Sequence, residues 1–150
     1  MPDIMHLVRI RATQESVYRA LTTAEGIRNW WTHDATLDAA IGGTGTFGFR
    51  DRRVLTTVRV ETLDPPARVG WRTLTSTAPS GWDGSTITFD LRAEDDDTVL
   101  AFAHRGLACA DENYARVTTG WGYYLISLQQ YLETGTGAPH PEAGMARIVR

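Results

Sequence analysis

Between Asp111 and Glu133 the residues Val117, Trp121, Leu125, Leu128 and Leu132 recur at steps of four and three, with Tyr114 and Tyr124 beside that line. An apolar stripe of this period is one face of a helix. Asp111 and Glu112 stand at its start, where carboxylates suit the helix dipole. Gly135 follows Glu133 as a stop signal. Gly120 and Gly122 each oppose a helix by about 1 kcal/mol. Burial of each large apolar side chain in the stripe contributes about 1.5–3 kcal/mol and offsets them. So heavy a stripe requires a concave apolar surface to cover it, and the preceding residues must supply that surface.

They do so mainly as strands. Ile4 to Arg11 alternates, with His6, Val8 and Ile10 on one side and Leu7, Arg9 and Arg11 on the wetter side. Thr13 is placed to cap a helix over Ser16 to Thr23, with Val17, Leu21 and Ala24 in helical phase. Gly26 interrupts, and Ile27, Trp30 and Trp31 suggest a second short helix ending near Thr32. From Ala35 the period falls to two. Gly42-Gly43 is a turn; Phe47 and Phe49 share a face; Arg50 to Arg53 is a hairpin tip; Val54 to Leu63 is a strand. Asp64-Pro65-Pro66 breaks the chain. Val69, Trp71 and Thr73 share a face, as do Ile87, Phe89 and Leu91, and then Leu100, Phe102 and His104. Ser76 to Ser85 is expected to be a loop and Glu94 to Asp97 an acidic turn. Six short-linked strands after the two helices make an antiparallel sheet. The predicted fold is α+β, a curved antiparallel sheet wrapped around a long C-terminal helix. Residues 1–133 form the domain, and 134–150, rich in Gly, Pro, Ala and Thr, are expected to be a flexible tail in which Ile148 and Val149 can dock.

The stretches Ile10 to Thr22, Ile27 to Trp31, Ile41 to Gly43, Leu63 to Trp71, Ile87 to Leu91, Thr98 to His104 and Gly120 to Leu125, in this order, resemble the helix-grip fold of the START-like, or SRPBCC, superfamily. Within it the chain is most similar to the AHSA-like proteins, homologues of the activator of the heat-shock-protein-90 ATPase. The resemblance covers residues 4 to 133. It implies a cavity between sheet and helix, and a range of roles from stress-related cochaperone to lipid carrier and polyketide cyclase. It implies no fixed catalytic set.

Composition excludes several chemistries. The chain has no lysine, so a lysine Schiff base, a Walker A motif and a kinase strand lysine are all ruled out. An all-arginine basic set with only Asn29 and Asn113 as asparagines is what a GC-rich, bacterial genome would give. A formal charge of −3 without a basic block argues against nucleic acid as a partner. No apolar run is long enough for a membrane span, no signal peptide is recognisable, and the cytoplasm is the expected location. A single cysteine, Cys109, makes no internal disulfide. Gly43 to Gly48 spells GxGxxG, but strand-like residues follow where the dinucleotide motif needs a helix, so a Gly-rich hairpin is expected. His6, His33, His104 and His140 lie far apart, and no metal is expected. Asp95, Asp96 and Asp97 read as a solvated turn rather than a calcium loop, and Cys109 as an inert thiol. No cofactor is expected.

Strand parity and helical phase place Phe47, Phe49, Trp71, Phe89, Phe102, His104, Trp121, Tyr124, Leu125 and Leu128 around the space between sheet and helix. Trp30 and Trp31 are adjacent, so a short helix should part their rings, with one inside and one near the cavity mouth. Trp82, in a Gly-flanked loop, is expected to be exposed. His104 is either a satisfied core histidine or the polar handle of a ligand site. Three functions are open: a carrier of a small apolar or amphipathic molecule, an enzyme of cyclase or hydratase type using groups such as His104, or, as the resemblance implies, a chaperone-regulating protein-interaction module, with a protein partner or a homodimer allowed.

Overall fold

The computed structural model of the chain describes residues 2–78 and 81–140. Its elements run β1 (Ile4–Ile10), α1 (Gln14–Thr22), α2 (Ala24–Trp30), β2 (Asp34–Leu37), β3 (Thr44–Phe49), β4 (Val54–Asp64), β5 (Arg68–Ser76), β6 (Thr86–Glu94), β7 (Asp97–Arg105) and α3 (Glu112–Thr134). All seven strands form one antiparallel sheet in the order β1-β7-β6-β5-β4-β3-β2. The meander thus closes by bringing the first strand beside the last. This is the α+β helix-grip architecture predicted from the alternation and the stripe.

Local chemistry sets the boundaries. Thr13 Oγ1 accepts the Ser16 N–H at 3.1 Å and caps α1. Thr23 Oγ1 does the same for the Gly26 N–H at 3.0 Å and starts α2. Gly26 therefore lies inside α2 rather than interrupting it. A Cβ there would come within 2.7 Å of Ala20 Cα and O, so the glycine is what lets α2 turn so sharply against α1. Asp111 Oδ1 accepts the Tyr114 N–H at 3.0 Å and caps α3. Gly135, at φ 88°, ends it by donating to Tyr131 O at 2.9 Å.

The core lies between one sheet face and the helices. Ile4, His104, Ile87 and Trp71 form one cross-strand row, and His6, Phe102, Phe89 and Val69 the next. Trp121, Tyr124, Leu125 and Leu128 of α3 are buried against this face. The other sheet face carries exposed Arg–carboxylate pairs, among them Arg9–Glu94, Arg68–Asp90 and Arg72–Glu61. Such pairs contribute little stability individually, but they leave few free cations on that face.

α3 also closes the outer side of β1. The Tyr114 hydroxyl donates to Asp3 O at 2.6 Å, Gln129 Nε2 to Arg9 O at 2.8 Å, and the Arg11 N–H donates to Glu133 at 2.9 Å. An otherwise open strand edge is thereby partly satisfied by side chains.

The segment after α3 departs from expectation. Ser127 Oγ, buried in α3, donates to Trp30 O at 2.8 Å and accepts the Ala138 N–H at 2.7 Å. His140 N donates to Trp31 O at 2.8 Å, and His140 Nε2 accepts the Arg50 N–H at 3.0 Å. Residues 136–140 are thus tied to α2, α3 and the β3–β4 hairpin, not free as their composition suggested. Ile148 and Val149 lie outside the described residues.

Candidate functional site

The space between sheet and α3 is lined by aromatic rings drawn from distant segments. Successive ring centroids run Trp31–Trp71 6.1 Å, Trp71–Phe89 5.1 Å, Phe89–Phe102 5.4 Å, Phe102–Trp121 4.5 Å and Trp121–Trp31 5.0 Å. The circuit closes on itself, joining sheet to helix through π contacts. Phe47 packs on Trp31 at 4.6 Å. Leu125 and Leu128 are fully buried in the same core, and Tyr124 nearly so. Burial pushes the Tyr124 pKa up, so its hydroxyl stays neutral. Phe49 is half-buried at the edge, between Tyr124 and His140.

Three tryptophans sit differently from the expectation. Trp30 and Trp31 do not part, and neither is at a mouth: they are 0% and 2% exposed and stack at 5.8 Å with 12° between planes. Trp31 is the C-cap of α2, where the chain leaves the helix, so helical phase no longer dictates its direction. Trp82 is 8% exposed rather than free in its loop. Its ring meets His104 edge-on at 4.6 Å.

His104 is the polar centre of this interior, and it is fully buried. Its Nδ1 accepts the Trp121 indole N–H at 3.1 Å, and its Nε2 pairs with Ser85 Oγ at 2.9 Å. Ser85 Oγ in turn donates to Thr73 Oγ1 at 3.3 Å. Burial pushes the imidazole pKa down to about 3, with a smaller opposing pull from Asp3. An indole can only donate, so Nδ1 must be the bare nitrogen and Nε2 carries the proton. His104 is then a donor to Ser85, and Ser85 cannot pass it a proton. This geometry opposes the roles of general base and of Ser–His nucleophile. Sequence placed His104 inward by parity but gave no sign of Ser85 or Trp82 as neighbours.

The remaining motifs are explained by packing. The glycines of the GxGxxG run lie in and just before β3, where a Cβ on Gly43 would collide with Asp38 O and one on Gly48 with the Asp34 carboxylate. Strand, not helix, follows the first glycine, so the phosphate cradle of the dinucleotide motif is absent. Cys109 Sγ donates to Asp111 Oδ2 at 3.2 Å, and that bond holds its pKa up, the opposite of an activated thiol. Among the described residues no group of three or more His, Cys, Asp or Glu side chains is placed to hold a metal ion. No helix among them is long and apolar enough to cross a membrane.

A seven-stranded sheet gripping one long helix over an aromatic interior defines the helix-grip class. The family model "Activator of Hsp90 ATPase homolog 1-like protein" matches residues 11–133, and the chain belongs to that family. The solution structure of the Aha1 dimer from Colwellia psychrerythraea superposes with a TM-score of 0.81 at 33% identity, over 91% of this chain and 100% of that one. A Staphylococcus saprophyticus crystal structure matches with a TM-score of 0.74 at 20% identity, over 91% and 95% of the two chains. CalU16 from Micromonospora echinospora matches with a TM-score of 0.71 at 21% identity, over 98% and 80%. The latter two share the fold. No protein with a curated description matches the chain by sequence.

Proposed function

We propose that this domain binds a small apolar or amphipathic molecule between its sheet and α3. The observation that carries this reading is the way the helix is held. The α3 backbone comes closest to β1, α1 and α2, whereas its ring contacts with the rest of the sheet include Trp121 on Phe102 of β7 and Tyr124 on Phe49 of β3. Apolar ligand sites are lined by aromatic side chains of this kind, and a ligand would enter by parting the rings that here touch one another. The locked tautomer of His104 favours binding over the cyclase or hydratase alternative.

The test is titration of the folded protein with 2-isopropylnaphthalene, followed by tryptophan fluorescence. Saturable one-to-one binding is expected, and Phe102→Trp, which adds volume between Phe89 and Trp121, should weaken it by about tenfold, ~1.4 kcal/mol. Absence of saturable binding, or a variant that binds equally well, refutes the reading.

A second reading, a protein-interaction module, is favoured by a specific surface. Met5 and Leu7 are 67% and 68% exposed on one face of β1, an apolar pair that a partner or a second copy can cover. The similar Colwellia protein is described as a dimer. Light scattering of the purified chain distinguishes a homodimer from a monomer, and Met5→Glu should dissociate a dimer built on this face.

A further inference from the structure

Among the described residues one buried side-chain polar atom has no hydrogen-bond partner, the Nε1 of Trp82. Its loop is not loosely placed. Thr73 N donates to Ser85 O at 2.8 Å, Gly84 N to Thr73 O at 2.9 Å, and Ser85 N to Trp82 O at 2.9 Å. The Trp82 ring lies edge-on to His104 and near-parallel to Trp121, with centroids 6.2 Å apart in the latter pair. The ring that carries the orphaned N–H therefore packs against the polar corner of the aromatic interior.

The protons in that corner can be followed one by one. Trp121 Nε1–H donates to His104 Nδ1. His104 Nε2–H is then the donor to Ser85 Oγ, because the neutral ring has one proton and Nδ1 lacks it. Ser85 Oγ–H donates to Thr73 Oγ1. The Thr73 hydroxyl, itself 1% exposed, keeps a proton for which no acceptor exists among the described residues. Every bond points the same way, and the chain ends in a donor. Trp82 Nε1–H adds a second. The corner thus offers two unmet donors, and both nitrogens of His104 are already engaged.

Desolvated donors without acceptors are costly, so the missing partner is an acceptor. Its charge is also constrained. The network residues Thr73, Trp82, Ser85, His104 and Trp121 supply no cation, and the charge that acts on His104 is the carboxylate of Asp3, which disfavours an anion. We propose that this corner is the polar end of the ligand site, in which Trp82 Nε1–H, with the Thr73 hydroxyl as second donor, receives the carbonyl oxygen of a neutral and otherwise apolar molecule whose body lies against Trp121 and Phe102. The proposal rests on the ligand-binding reading above and names the chemistry of its ligand.

A matched pair of probes tests it: 2-acetylnaphthalene, which carries the carbonyl, and 2-isopropylnaphthalene, which has the same shape without it. Trp82→Phe removes the N–H and keeps a ring. The variant should bind the ketone about tenfold more weakly than the wild type, the size of one good hydrogen bond, and the hydrocarbon within about twofold. In the wild-type protein the Trp82 indole resonance, assigned by through-bond NMR, should move downfield with the ketone and not with the hydrocarbon. This second measurement stands whether or not the variant folds. Equal losses for both probes, or an indole resonance that ignores the ketone, overturns the proposal and assigns the donor to an internal water; binding of the hydrocarbon then still supports the ligand reading. Failure of both probes to bind the folded wild type defeats that reading as well.

Discussion

Burial of a neutral imidazole makes the stability of this domain depend on pH in a way that can be sized. His104 has a folded pKa of about 3 against an ordinary value of 6.5, because burial penalises the charged ring more than Asp3 attracts it. The unfolded chain takes up the proton near pH 6.5 and the folded chain does not. The folded pKa is the lower one, so this contribution to stability is complete above about pH 6.5 and drains away as the pH falls toward 3. The limiting slope is about 1.4 kcal/mol per pH unit, and between pH 7.5 and 5.0 the loss is about 2 kcal/mol. Urea unfolding followed by circular dichroism at several pH values measures it, with His104→Gln as the reference. Every other ionisable group is common to both proteins and cancels in the difference. The stability advantage of the wild type over the variant should therefore shrink by about 2 kcal/mol across that interval. In the wild type the His104 ring proton resonances should stay fixed between about pH 7.5 and 5.0. An advantage that is constant with pH, or a ring that titrates near pH 6.5, would refute the buried, neutral network.

Two packing predictions accompany it. Trp121→Ala should cost about 3–5 kcal/mol in urea unfolding, since it opens the ring circuit and strips His104 Nδ1 of its donor; a loss under about 1 kcal/mol would mean the stripe faces water. Gly26→Ala should destabilise by about 1–3 kcal/mol although Ala is the better helix former, because its Cβ would press on the Ala20 backbone; a neutral or stabilising result would show that α1 and α2 do not meet so closely.

The long helix was legible because its signals are local. The stripe, the Asp111 cap and the Gly135 stop all lie within or next to the segment they define, and the structure differs from the predicted span by one residue at each end. Strand faces were legible for the same reason, which is how Phe47, Trp71, Phe89, Phe102 and His104 could be placed together. What period cannot give is the partner of an inward polar group. Ser85, His104 and Trp121 come from a loop, a strand and a helix, and no spacing links them. Trp82 misled because glycines on either side suggest an exposed loop, whereas its ring is drawn in by His104 and Trp121. Trp31 sits at the end of α2, where helical phase no longer sets the direction of a side chain, and so its ring stacks on Trp30. The segment 136–140 has a mobile composition, yet Ser127, a polar residue on the apolar side of α3, holds it down; that serine was the clue.

The pairing of β1 with β7 has a consequence for how the chain is made. Ile4 sits opposite His104 and Ile10 opposite Thr98, and the outer side of β1 is completed by Gln129 and Glu133. The first strand of the domain therefore waits for the last strand and the last helix before its ladder and its outer edge are paired. Until then β7 has an open edge and the aromatic face has no cover. Contacts of such long sequence separation fold slowly and leave apolar surface exposed in the interval. A chain cut short before β7 leaves β1 without its ladder partner, and one cut short before α3 has every strand but no long helix over its aromatic face.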